Sequence, residues 1–147
     1  MILHTCSEAI SFAKELENKS AKFYQDLSQR YAKDEDVLLS FAKENGKNVV
    51  QIERAYYGVI TDAIEGCFAF NINPDEYTFE IALAEKAGYS NALTKAIEIE
   101  EKMIKFYSDA AEQSKSLMAD VPRNFTIVAR KRGDRKLKLE ALLDKGG

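Results

Sequence analysis

The sequence predicts an all-α protein built as a four-helix bundle, and three observations carry that prediction. Apolar residues recur at helical spacing over four long stretches. Only 2 prolines and 7 glycines interrupt 147 residues, and the abundance of Ala, Glu, Lys, Leu and Ile favours long helices. The chain also repeats itself: "ELENKSAKFYQDLS" (15–28) matches "EIEEKMIKFYSDAA" (98–111). With 46% apolar and 31% charged residues, the composition is that of an ordinary folded domain, long enough to bury its own core. We therefore read 1–147 as a single domain: a helix pair at 6–65, a crossover at 66–90 and a second helix pair at 91–144.

The first helix opens at Thr5, where "TCSE" is a capping box, and runs to about Tyr31. Its apolar stripe is Ala9, Phe12, Ala13, Leu16, Ser20, Phe23, Tyr24, Leu27 and Tyr31. The polar "KDED" (33–36) makes a turn and supplies an N-cap. The second helix runs from about Val37 to Glu65, with Leu38, Phe41, Ala42, Val49, Ile52 and Tyr56 on one face. Residues 66–90 break the pattern. There Asn73-Pro74-Asp75 reads as a cap with proline in the first turn of a short helix, stopped by Gly88. The third long helix covers roughly Asn91–Lys115. The fourth starts after Asp120-Val121-Pro122, ends near Leu143 and leaves "DKGG" as a frayed tail.

Composition also narrows the function classes. The net charge is −3, so the protein as a whole is not built to attract polyanions. Cys6 and Cys67 form no metal-type cluster and read as reduced thiols of a cytoplasmic protein. No stretch approaches the roughly eighteen apolar residues of a membrane span. The start "MILHTCSEAI" lacks the basic region and long apolar core of a signal peptide. The basic run "ARKRGDRK" (129–136) belongs to no nucleic-acid motif, and a nucleic-acid partner is not expected.

The repeat singles out particular residues. Lys22-Phe23-Tyr24 aligns with Lys105-Phe106-Tyr107, and Glu17 with Glu100, seven residues before each tyrosine. "FAKENGKN" (41–48) aligns with "VARKRGDR" (128–135), which sets Asn45 against Arg132, Asn48 against Arg135 and Gly46 against Gly133. Glu17 and Glu100 fall on the apolar stripes of their helices. A carboxylate buried there is costly unless paired or bound to a metal.

This arrangement resembles the rubrerythrin-like branch of the ferritin-like superfamily, over about residues 7–144. The resemblance rests on Glu-x6-Tyr in helices 1 and 3, the repeat, and the long connection between helices 2 and 3. It implies a ferritin-like four-helix bundle with a long crossover, carrying a short helix, between helices 2 and 3, commonly as a dimer. It also implies a di-iron or similar two-metal site. One glutamate from each of helices 1 and 3 would serve it, here Glu17 and Glu100, with a Glu-x-x-His motif from each of helices 2 and 4.

Those motifs are replaced by Asn45-Gly46-Lys47-Asn48 and Arg132-Gly133-Asp134-Arg135, and the single histidine, His4, matches no ligand position. The matched positions hold two carboxylates, two arginines and two amides, which sum to zero charge with no metal. Arg132 lies on the stripe Phe125, Val128, Ala129, Arg132, Lys136, Leu139, and guanidinium suits bidentate pairing with carboxylate. We expect Arg132, and with it Arg135, to occupy the former metal cavity and pair with Glu17 and Glu100, with Tyr24 and Tyr107 in support. Gly46 and Gly133 would mark a kink or a close helix contact there.

Two readings follow. The first is a non-catalytic binding or assembly module, a homodimer with no cofactor. Tyr56, Tyr57, Phe68, Phe70, Tyr77 and Phe79 would then either face a partner or pack the crossover onto the bundle. The second is a rubrerythrin-type oxidoreductase for peroxide or iron handling. In it, iron or another divalent cation is held by Glu17 and Glu100, with Asn45, Asn48 or Asp134 as further ligands.

Overall fold

A computed structural model of the chain describes residues 1–59, 69–115 and 120–146. Among the described residues four α-helices make the fold: α1 (Cys6–Arg30), α2 (Glu35–Val59), α3 (Tyr89–Gln113) and α4 (Asp120–Asp144). Among the described residues, strand-like pairing is confined to one bridge between Leu3 and Ile72. α1 packs along α2, α3 packs along α4, and the two pairs meet chiefly where α2 faces α4.

α1 starts where the capping box requires. Thr5 Oγ1 accepts from the Glu8 amide at 3.1 Å, and Glu8 Oε1 accepts from the Thr5 amide at 3.0 Å. Every stripe residue of α1 from Ala9 to Leu27 is buried, with Tyr31 half-buried at the helix end. "KDED" divides: its first two residues complete a 3-10 turn (Ala32–Asp34), while Glu35 and Asp36 fall in the first turn of α2, where negative charge suits the helix dipole. On α2, Leu38, Phe41, Ala42 and Ile52 are buried beside Asn45 and Asn48. The expected extension of this helix from 60 to 65 lies outside the described residues, as do Cys67 and Phe68.

The expected short helix after Pro74 is only one 3-10 turn, Pro74–Glu76, in which the Asn73 side chain accepts from the Asp75 amide at 3.1 Å. The chain beyond is non-helical and is tied through its carbonyls to α1 and the Tyr31 that caps it, that of Ala84 accepting also from the Ala87 amide at 3.0 Å. Lys19 donates to Phe79, Arg30 to Ala84 and Glu85, and the Tyr31 hydroxyl to Ala87 at 2.6 Å. At the other end of α1, Leu3 and Ile72 exchange amide–carbonyl bonds of 2.7 and 3.1 Å. Residues 69–88 thus follow α1 from its N-terminus to its C-terminus. Gly88 does not stop a helix; it is the residue that precedes α3.

α4 includes the Asp120-Val121-Pro122 segment expected to precede it; proline is tolerated in a first turn, where amides lack intrahelical acceptors. The tail ends in a glycine cap: Gly146 has φ +89° and its amide donates to the Leu143 carbonyl at 3.1 Å. Gly46 and Gly133 lie within continuous helix, and a Cβ built on either meets nothing within 4 Å. They mark no close helix contact.

The core is aromatic at the end that carries the α1 N-terminus. Phe106 meets Phe12 and Tyr77 edge-on at 5.4 and 5.5 Å, and Phe125 meets Phe70 and Tyr107 at 6.4 and 6.1 Å. Phe70 and Tyr77 therefore pack inward, Phe79 and Tyr56 are half-buried, and Tyr57 is 60% exposed. Among the described residues no helix is long and apolar enough to cross a membrane.

Candidate functional site

The repeat places its residues by simple geometry. α1 and α3 run antiparallel, so residues equally far along opposite directions face each other. Tyr24 reaches Glu100, donating to Oε2 at 2.6 Å, and Tyr107 reaches Glu17, donating to Oε2 at 2.7 Å. Each half of the repeat thus completes the carboxylate of the other half. Both glutamates and both tyrosines have no accessible surface.

Arg132 enters from α4 between the two carboxylates, itself 0% exposed. Its Nη1 donates to Glu100 Oε1 and Oε2 at 3.0 and 2.9 Å, and to Ser20 Oγ at 3.2 Å. Its Nη2 lies 2.8 Å from Glu17 Oε1, an ion contact off the line of a hydrogen bond. Arg135 lies one turn further on. Its Nη1 donates to Asn45 Oδ1 at 3.0 Å and stands 3.7 Å from Glu100 Oε2. Its Nη2 donates to the Phe41 carbonyl at 2.9 Å and to Glu44 Oε1 at 3.0 Å, and its guanidinium lies over the Tyr24 and Phe41 rings at 5.0 and 4.9 Å.

The two amides of α2 serve Glu17. Asn45 Nδ2 donates to its carbonyl at 3.1 Å and to Oε1 at 3.0 Å, and Asn48 Nδ2 donates to Oε1 at 3.2 Å. Asn48 Oδ1, Arg132 Nε and Arg135 Nε have no partner among the described residues. A buried polar atom left so costs about 1–3 kcal/mol, so the network is not stabilising at every atom.

Electrostatics fix the protonation of Arg132 and of the two tyrosines. Burial disfavours a charged Arg132, but Glu100 and then Glu17 outweigh it and raise its pKa above the ordinary value, so it is a permanent cation. Burial pushes the Tyr24 and Tyr107 phenols well above their ordinary range, and the carboxylates that accept from them push the same way. Both therefore stay protonated donors.

The expected site residues Glu17, Asn45, Asn48, Glu100, Arg132 and Arg135 are thus brought together, with Tyr24 and Tyr107 in contact. Asp134, a further ligand in the metal-bound reading, is exposed on α4 and does not face this interior. Reading the sequence missed Ser20 as a partner of Arg132, although it lay on the stripe, and missed Glu44, whose side chain is 39% exposed at the rim.

This set does not fit a divalent metal. Among the described residues no group of three or more His, Cys, Asp or Glu is placed to hold one. A 2+ ion about 4 Å from the Arg132 guanidinium would meet repulsion of about 8 kcal/mol at an effective dielectric near 20. The arrangement can pair charges and fix four helices against one another. Compared with protein-family models, curated proteins and solved structures, the chain matches none.

Proposed function

We propose that this chain is a ferritin-like, rubrerythrin-like bundle that has lost its Glu-x-x-His metal ligands. It acts as a non-catalytic binding or assembly module, working as a homodimer, and the Glu–Arg network holds its interior. The observation that carries this reading is the position of Arg132: a fixed cation within 3 Å of both Glu17 and Glu100, at a position the family would give to a metal-binding glutamate. The reciprocal Glu–Tyr pairs and the run of residues 69–88 along the full length of α1 support the ferritin-like topology with its long crossover. Iron or any other divalent cofactor is absent from this proposal because the charges already balance without one.

Elemental analysis of protein purified without chelators tests it. The expected result is iron, manganese and zinc each far below one ion per chain. A stoichiometric metal lost on Glu17→Gln or Glu100→Gln would overturn the proposal and restore a metal-dependent oxidoreductase.

A further inference from the structure

The charge of this acidic chain is unevenly spread. Along the seam where α2 faces α4, Lys43, Lys47 and Arg54 line one side and Arg123, Lys131 and Lys138 the other. Two surface carboxylates, Asp120 and Asp134, join them, while Glu44 is already paired with Arg135. The seam therefore carries +4 on a chain of net −3, which leaves −7 for everything else. Among the described residues, none of those six cations is in an ion pair. Lys131 donates instead to the neutral Gln51 at 2.8 Å.

The part of the seam nearer the N-terminus of α4 is a groove of about 900 Å³. Its floor is aliphatic: Val50, 46% exposed, with Ala55 and Ile127. Across it Gln51 donates to Asn124 at 2.9 Å, which ties the two helices at the base. Gly46 opens one side, with nothing within 4 Å of its missing Cβ. From Lys43 to Ala55 the groove runs about 18 Å, at 1.5 Å per residue.

We infer that this groove receives an acidic amphipathic helix of a partner protein. An apolar stripe of three turns would lie on Val50 and Ile127, and carboxylates flanking the stripe would meet Lys43, Lys47 and Arg54 on the α2 rim and Arg123 on the α4 rim. Nucleic acid fits less well: its phosphates would find the cations, but its bases would find aliphatic side chains in the groove, and Phe41, which lines the seam beyond it, is buried. A second copy docked face to face fits worst, because a two-fold contact sets the basic seam against itself. The inference deepens the binding-module part of the proposed function and rests on it, but uses only exterior residues.

The test is fluorescence polarisation with a labelled synthetic 14-residue peptide carrying leucines at helical spacing and glutamates between them. Controls are a scrambled peptide of the same composition and a labelled single-stranded oligonucleotide, each titrated at low and high salt. We expect the amphipathic peptide to bind at least about tenfold more tightly than the scramble or the oligonucleotide, and to weaken as salt screens the rims. Lys47→Glu with Arg123→Glu, or Val50→Asp alone, should each cut that affinity about tenfold with unchanged circular dichroism. Equal binding of the scramble, tighter binding of the oligonucleotide, no binding by the peptide, or binding indifferent to these variants overturns the inference. So does light scattering that shows self-association abolished by the charge reversals. Metal analysis decides the lost-site reading separately, since neither variant touches the buried network.

Discussion

At Arg132 a single side chain faces two carboxylates, and none of the three has accessible surface. Two buried ions gain little net stability over apolar residues of similar size, but removing one partner strands the other. Arg132→Ala should therefore cost about 3–5 kcal/mol, read from urea unfolding. Arg132→Met combined with Glu17→Gln and Glu100→Gln should recover most of the loss. A parent-like melt for Arg132→Ala would falsify the pairing. These residues were legible in sequence for physical reasons: the glutamates recur in a repeat on apolar stripes, and the arginine, though its repeat counterpart is Asn45, falls on an apolar stripe as well. Glu44 was not legible, because it sits at the edge of its stripe. Only the reach of Arg135 across from α4 brings it in.

Among elements, α2 and α4 each carry a glycine in mid-helix where no Cβ contact forbids a side chain. Glycine there costs backbone entropy with no packing gain in return. Gly133→Ala and Gly46→Ala should each stabilise the protein by about 0.5–1 kcal/mol; thermal melts check this, and a lowered Tm would mean that the glycines serve a bend. Helix bounds that fall on described residues were legible to within a few residues, since stripe and capping box are local signals. Residues 77–88 were not. Their sequence permits a helix, and the contacts that hold the segment extended are distant in sequence: Lys19, Arg30 and Tyr31 donate to the carbonyls of Phe79, Ala84, Glu85 and Ala87. Propensity is a weak prior against such tertiary contacts.

For the whole molecule, four phenols tie stability to alkaline pH. Burial raises Tyr24, Tyr107, Tyr77 and Tyr89 above the ordinary phenol range, and Glu100, Glu17, Asp109 and Asp34, accepting from them in that order, add to the shift. A raised folded pKa means that the native state holds its protons longer than the unfolded chain. The stabilisation is complete below about pH 10 and declines as pH climbs beyond it toward the folded values. Tyrosinate absorbance should then rise for these four only together with loss of the helical signal. Full ionisation of all 7 tyrosines in a still-folded protein would contradict it. The buried charges also sort by half of the chain. The α1–α2 hairpin brings one fully buried charge, the carboxylate of Glu17; the α3–α4 hairpin brings Glu100, Arg132 and Arg135 and is left with +1. Two copies of the first hairpin would enclose −2, and two of the second +2. Only one of each makes a neutral interior, so a chain whose halves look alike still discriminates between them, and hairpin exchange between molecules is penalised unless unlike halves meet.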